Sequence, residues 1–302
     1  MMNHTRYLRS FANQARLLLT KPRRRARMRE LCQRHRAPLL VSFYHRVADS
    51  DPNDWTISRA QFRRHIDYCR EKFEFVSLSE LQRRIVLADS PLPTITFTFD
   101  DGYRDNCESA IPLMLENQIP CVYFVAVGHV VRQNPFDHDQ KIGKPLAVNS
   151  VQELREMAQC GIEIGLHTRN HVDFARVHDA KTIHAEIVDA KRELEQMIGR
   201  EVRYFAFPYG LPDQLTQAAI EAVHEAGFAA FCSAYGGYNL PGGDPFHIRR
   251  FHGDPDFARF RNWVSFDESK VRREPRVRYF LPPARSYDAT FEILERELAD
   301  CQ

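Results

Sequence analysis

With 302 residues, 43% of them apolar and 27% charged, the chain has the make-up of a soluble globular protein able to bury a sizeable core. Its formal net charge is only +2, yet residues 1–36 hold ten Arg and one Lys against a single Glu, a local +10 that leaves −8 on the remainder. No run approaches the roughly 18 apolar residues of a spanning helix, and Leu17–Leu19 is too short for the apolar core of a signal peptide, so a cytoplasmic location is expected.

In chain order, the first element is a basic amphipathic helix. Tyr7, Leu8, Phe11, Ala15, Leu18 and Leu19 share one helical face, with Arg6, Arg9 and Arg16 largely elsewhere. Followed by the basic run Lys21–Arg29, it either lies on an anionic membrane surface or packs on the body of the protein with its arginines solvated. Nucleic acid is not an expected partner, because no binding fold or aromatic interleaving accompanies the basic run. Apolar β-like runs follow at Leu39–His45, Phe73–Val76, Thr94–Phe99, Cys121–Val127, Ile162–His167, Tyr204–Phe207, Phe228–Ser233 and His247–Phe251. Helical stretches at Arg59–Lys72, Ala110–Asn117, Val151–Gln159, Ala180–Ile198 and Thr216–Ala226 alternate with them, the pattern of an α/β protein with a parallel sheet closed or nearly closed by helices. Gly128–Val148 is polar and helix-poor, and is expected to be a loop over the active-site face. After Phe251 an aromatic-rich tail is expected to cap the fold, ending in a helix at Ala289–Leu298. The organisation expected is a basic helical extension over 1–36, a catalytic domain over 37–252 and a C-terminal extension over 253–302. Seven cysteines without a C-x-x-C pair fit a reducing compartment and argue against a cysteine-based metal site.

Two short strings carry the chemistry. Thr96–Tyr103 reads TFTFDDGY and places Asp100 and Asp101 side by side after an apolar β-run, while His167–His171 reads HTRNH and turns two imidazoles toward one point. Asp101, His167 and His171 make a two-His, one-carboxylate set, which keeps coordination positions open for water and substrate. Asp100 is then left as a base. Asp followed by Gly102 is also ordinary turn chemistry, and a His pair after a strand can be a solvated turn. The two strings together, with FAFPYG at Phe205–Gly210, outweigh those readings. Asp100, His167 and Pro208 all fall just past expected strand ends, where barrels of this class put catalytic residues.

The set resembles the polysaccharide deacetylases, carbohydrate esterases of family 4 that share the NodB homology domain. Thr98, Phe99, Asp100 and Asp101 match their T-F-D-D motif, His167, Thr168 and His171 match H-[S/T]-x-x-H, and Phe205–Gly210 matches the third motif ending in Pro-x-Gly. The resemblance implies a distorted (β/α)7 barrel and a hydrolase removing N-acetyl groups from an N-acetylhexosamine-containing glycan or glycan precursor. It further implies a divalent metal on Asp101, His167 and His171, zinc first, with cobalt, nickel or iron also suited to the ligands. That metal would polarise the acetyl carbonyl and bring a bound water to a pKa of about 7. Asp100 would take the water's proton, and the backbone N–H of Tyr209 would complete the oxyanion hole.

Two family features are absent: the Arg opening the third motif is Ala206 here, and no Leu-x-His string follows. Pro38–Val47 resembles the opening strand of the permuted poly-N-acetylglucosamine deacetylases, which would give His45 the acid role, with His247 and His252 as weaker alternatives. The missing Arg is assigned to Arg250, with Arg249 as the alternative. His65, His178, His184 and His224 lie on helix-like stretches and are expected at the surface. The competing functions are an amidohydrolase acting on a non-sugar amide and a glycan-binding protein that has lost catalysis.

Overall fold

The computed structural model describes residues 2–281, with side chains from residue 12 onward. The expected terminal helix Ala289–Leu298, and the side chains of Tyr7, Leu8 and Phe11, lie outside the described residues. Among the described residues, nine strands form one all-parallel sheet. Its order runs His247–Ile248, Ala230–Cys232, Tyr204–Ala206, Glu163–Leu166, Cys121–Val125, Thr94–Phe99, Leu39–Tyr44 and Phe251–His252. Glu74–Phe75 pairs with the first half of Thr94–Phe99, and Cys121–Val125 takes over along the second half.

The two edge strands are separated in sequence by Arg249 and Arg250 alone. One apolar run, His247–Phe251, was expected here as a single strand; it is broken at those two arginines, and the curled sheet nearly closes at that break. Counting short strands gives nine rather than the expected seven, with the surplus in two-residue pieces such as these.

Period-2 alternation sorts the strands into two faces. Leu39, Val41, Val122, Phe124, Tyr204, Ala206, Ala230, Cys232 and Ile248 form one buried cluster, with Leu78, Leu81 and Ile85 of the helix Leu78–Val86 packed against it. Ile95, Phe97, Phe99, Tyr123, Val125, Ile164, Leu166, Phe205 and Phe231 face the other way, into the larger core shared with the surrounding helices. Gly165 lies on the first face, where a side chain would collide with the Phe124 ring at 2.4 Å.

Helix boundaries follow local chemistry. Ser58 and Ser150 make capping boxes with Gln61 and Glu153, opening Arg59–Arg70 and Val151–Gln159. The stretch 180–198 is continuous but contains a π-helical segment, Ala185–Asp189. The expected loop Gly128–Val148 is partly helical instead, with short helices at Val127–Arg132 and Asp137–Lys141. Phe136 anchors it, stacking on His129 at 4.2 Å.

Met2–Gln33 is one long helix, and it packs on the protein through a different face from the one the pattern suggested. Leu17, Arg24 and Leu31, at intervals of seven, are buried, whereas Leu18 and Leu19 are exposed. The buried polar partner explains the shift. Arg24 donates to Asn262 O, Ser265 Oγ and Asp267 Oδ2 at 3.1, 2.7 and 2.9 Å, and Arg16 and Arg27 pair with Asp267 and Glu268. These partners sit on Phe257–Val264 and just beyond it, so the N-terminal helix and the segment after Gly253 are held together. Phe260, Val264 and Phe266 from that segment are buried in the main core. His65, expected at the surface, is buried: its Nδ1 lies 3.0 Å from Tyr44 Oη and its ring stacks on Phe260 at 3.7 Å. The reason is that a helix face can be apolar in context while carrying a residue that looks polar in sequence.

Candidate active site

The functional side chains stand one step past the strand ends, on the alternation that the strands impose. Leu39, Val41 and Phe43 are followed by His45; Thr94, Thr96 and Thr98 are followed by Asp100. Both therefore point to the same side of the sheet. They open into a cleft of about 1850 Å³ that also receives Asp101, His167, His171 and Tyr209.

Asp101, His167 and His171 bring three ligand atoms within 4.8 Å of one another. Nε2 of His167 and of His171 lie 3.5 and 3.3 Å from Asp101 Oδ1. His167 Nδ1 lies 2.7 Å from the Ala206 carbonyl, so Nδ1 carries the proton and Nε2 presents its lone pair inward. Burial drives the His167 pKa down to about 4, which keeps that ring neutral. Asp101 is ionised: burial alone would raise its pKa, but His171 at 3.3 Å and the other neighbouring imidazoles bring it well below the carboxylate range. Buried, its Oδ1 has no hydrogen-bond donor. An ionised oxygen desolvated without a donor, within 3.5 Å of two imidazole nitrogens, fits a divalent cation and is costly without one.

Backbone strain gathers at the same place. Asp101, Thr168, His171 and Tyr209 all have left-handed φ, at 74°, 61°, 55° and 60°. For a β-branched Thr and a Tyr this is unfavourable, and its concentration around one point marks a site held in shape by its surroundings. Gly210, with φ 58°, is required for a second reason: a Cβ there would meet Ala234 N at 2.6 Å. That close approach lets Ala234 N–H donate to Gly210 O at 2.8 Å and pins the turn carrying Tyr209. Among the described residues, no acceptor takes the Tyr209 N–H.

Asp100 is held from behind. Arg250 donates from Nη1 and Nη2 to its two oxygens at 2.7 and 2.9 Å. The guanidinium is fully buried, donates also to Thr98 Oγ1 and Ser233 O, and lies over the Phe43 and Phe124 rings at 4.9 and 5.3 Å. Burial opposes ionisation of Asp100, but the Arg250 charge outweighs it and keeps the pKa below the usual carboxylate value. Arg249 points elsewhere, pairing with Glu274. The two arginines are adjacent, and only Arg250 falls on the inward side of the seam.

His45 sits on the bend after Leu39–Tyr44, with its backbone carbonyl held by Asn106 Nδ2 at 2.7 Å. Its Nδ1 is buried without a partner, and burial lowers its pKa. The Trp55 ring lies 4.6 Å from it and the His252 ring 6.1 Å. His252 also lines the cleft, with a pKa pushed down to about 3 by burial. His247 does not line it; the ring is buried 2.9 Å from Ser233 Oγ. Two features went unread in the sequence. Trp55 opens the stretch Trp55–Leu78, which resembles the continuation after the first strand in the permuted deacetylases, but nothing there marked its ring as a cleft residue. Tyr103 donates to Asp139 Oδ2 at 2.7 Å beside His138, tying the segment after Gly128 to the cleft wall, and nothing in spacing marks that link.

Residues 88–231 match the family model described as Polysaccharide deacetylase. Among curated proteins, the poly-beta-1,6-N-acetyl-D-glucosamine N-deacetylase of Staphylococcus aureus is 25% identical over 167 residues, covering 52% of this chain and 55% of that protein. The chain thus spans little more than half the length of that relative, and 61% of another from Bacillus subtilis. Among solved structures, IcaB from Ammonifex degensii superposes with a TM-score of 0.63 at 25% identity, covering 76% of this chain and 97% of that one. The Streptococcus pyogenes deacetylase PplD, in complex with acetate, shares the fold with a TM-score of 0.64 at 17% identity, covering 77% and 100%.

Proposed function

We propose, from the premise that this chain carries a polysaccharide deacetylase domain, that it hydrolyses the N-acetyl groups of an N-acetylhexosamine-containing glycan. The observation that carries the proposal is the convergence of Asp101, His167 and His171 beside a second carboxylate, Asp100, braced by Arg250.

Asp101, His167 and His171 would hold a divalent cation, zinc being well suited to two imidazoles and a carboxylate. Bound there, it supplies the Lewis acidity that polarises an acetyl carbonyl and acidifies a water. The chain's own groups do the rest. Asp100 accepts the proton of the attacking water on a carboxylate oxygen; the two Arg250 bonds leave further lone pairs free for it. A C–O bond forms and the carbonyl oxygen gains charge, which the Tyr209 N–H, a donor with no acceptor among the described residues, would meet. His45 gives a proton to the departing nitrogen as the C–N bond breaks; burial disfavours its protonated form, and the charges of Asp101 and Asp100 act against that.

Arg250 answers one of the two motives for reading the chain as a catalytically lost binding protein, because it contacts Asp100 although Ala206 occupies the motif position; the other, the missing Leu-x-His, is answered only if His45 is the acid. A location in a reducing compartment rests on the sequence alone, whose seven cysteines include no C-x-x-C pair. The N-terminal helix uses its buried face against the protein, which supports a structural role over membrane binding for that face.

Acetate release from N-acetylglucosamine oligosaccharides, with metal content measured in parallel, tests the function. Asp100→Asn should lower turnover by about 10²–10⁴-fold while the metal stays bound. Turnover that persists in this variant would exclude Asp100 as the base, and acetate released from simple amides but not from glycans would favour the non-sugar amidohydrolase.

A further inference from the structure

His171 is placed by other means than His167. His167 follows directly on the strand Glu163–Leu166, and its Nδ1 is held at the Ala206 carbonyl. His171 lies beyond the strand, on a turn in which Thr168 and His171 both have left-handed φ, and among the described residues no hydrogen bond reaches its Nδ1. The Phe136 and Tyr209 rings pack against the imidazole at 5.4 and 5.3 Å, but the backbone that carries it stays in a conformation these residue types disfavour.

Glu186 holds that backbone. Its Oε2 accepts from the Asn170 N–H at 2.8 Å, its Oε1 from Asn170 Nδ2 at 2.5 Å, and its own carbonyl from the Arg169 N–H at 3.1 Å. That carbonyl lies in the π-helical segment Ala185–Asp189, where the regular helical ladder is interrupted, a feature frequent at functional sites. The helix Val127–Arg132 takes the turn's other polar groups. The N–H groups of Val127 and Gly128 donate to the Thr168 and Arg169 carbonyls at 3.2 and 2.7 Å, and Arg132 Nη2 donates to Asn170 Oδ1 at 2.7 Å.

Glu186 is buried, and among the described residues no Lys, Arg or His pairs with it. A carboxylate buried without a cation costs stability, so packing alone does not account for Glu at this position. The donors do. Both groups facing its side chain are N–H groups, and a carboxylate accepts at each oxygen, whereas Gln would turn an NH2 toward one of them. We infer that Glu186 is a positioning residue for the metal site, holding residues 168–170 in the strained turn that aims His171 at Asp101 and His167. The inference rests on the ligand set of the deacetylase reading. Without Glu186 the turn relaxes toward ordinary φ, and the imidazole leaves the point it shares with the other two ligands.

The test titrates the metal-free full chain with Co2+ and with Zn2+, and reads coordination from the cobalt absorption bands. Glu186→Gln sets donor against donor, and Asn170→Asp sets acceptor against acceptor. Each should lower affinity by about 10–100-fold, the usual weight of a group that orients a ligand, and change the cobalt bands. Combining Glu186→Gln with Asn170→Asp restores the match. The amide oxygen accepts the N–H of position 170, the amide NH2 donates to the new carboxylate there, and Arg132 keeps its acceptor. The double variant should recover most of the native affinity and the native cobalt spectrum, and it decides the matter with Asn170→Asp if Glu186→Gln misfolds. Denaturant unfolding of the metal-free variants is read in parallel. Single variants that lose stability but keep native affinity and spectrum would overturn the inference, as would a double variant that recovers nothing. Affinities that respond as expected in a chain whose native form releases no acetate would overturn the deacetylase reading and leave the role of Glu186 standing. A native chain that binds neither ion would overturn both.

Discussion

The segment 88–231 and the segments flanking it divide the site between them. Within 88–231 lie Asp100, Asp101, His167, His171 and Tyr209, each on a short linear motif and each close to a strand end. The flanks supply His45, at the end of the opening strand, and Arg250, with Trp55 and Arg259 lining the cleft, and all of them meet the first group only in space. The difference teaches what each half has to satisfy. A cation constrains ligand type and spacing tightly, so its half is written in local strings. Bracing a base or lining a sugar needs a charge or a ring at a point, and any strand or loop reaching that point can provide it.

The comparison breaks most completely at the ligands. Asp101→Ala removes the one carboxylate among three ligands and several kcal/mol of electrostatic stabilisation, so acetate release should fall by about 10³-fold or more together with metal content. Metal retained at native stoichiometry in this variant would mean that the ion sits elsewhere.

Arg250→Met asks whether the flank matters as much. It strands a buried carboxylate, a change typically worth about 3–5 kcal/mol of stability, readable by chemical denaturation. It should also raise the Asp100 pKa, because burial then acts without the offsetting charge. With its pKa depressed in the native protein, Asp100 contributes stability above its unfolded pKa that is lost as pH falls through the folded value. In the variant, burial without Arg250 reverses the sign: the ionised Asp100 costs stability at neutral pH, protonation relieves that cost as the pH falls, and the acid limb of the rate profile moves up. Arg250→Lys should not restore the native profile, since one ammonium cannot replace a two-pronged contact. An unshifted acid limb would separate Arg250 from the base.

The same division explains how much was legible. Strand positions and the clustering of the candidate metal ligands were readable because each rests on periods of two, on Asp and His types, and on turn residues. Arg250 was readable only as one of two neighbours, and the choice depended on a sheet edge that a single apolar run, His247–Phe251, concealed. The docking face of the N-terminal helix was misjudged because its centre is Arg24, a charge that burial favours only once Asp267 and Ser265 are known to face it. His65 misled for a similar reason, its stacking partner Phe260 being far away in sequence. Non-local partners leave no period in the chain.

His45→Gln tests the proton donor, the flank residue nearest the chemistry. Loss of a positioned acid costs about 10²–10⁴-fold, and less where the leaving group is already good. Turnover of an N-acetylated glycan should therefore drop steeply, while an activated acetate ester, whose leaving group needs no proton, should be hydrolysed with a much smaller loss. An equal loss on both substrates would point to a packing role for His45, with His252 then the group to replace.

The smallest effect sharpens the comparison from outside the site. His65 belongs to a flanking helix, makes no contact with substrate, and is kept neutral by burial, with a pKa pushed down to about 3. An unfolded chain would protonate it near pH 6.5. The unfolded state therefore binds a proton across that window and the folded state does not. Its contribution to stability is intact above pH 6.5 and erodes as the pH falls toward 3. His65→Phe keeps the stack on Phe260 and removes the titration, at the cost of the contact with Tyr44. The difference in unfolding free energy between His65→Phe and the native chain should accordingly move in the variant's favour as pH is lowered from 7 to 4. A pH-independent difference would mean that the imidazole is solvated in the folded protein, and that this flank is looser than the packing of Phe260 and Tyr44 against it implies.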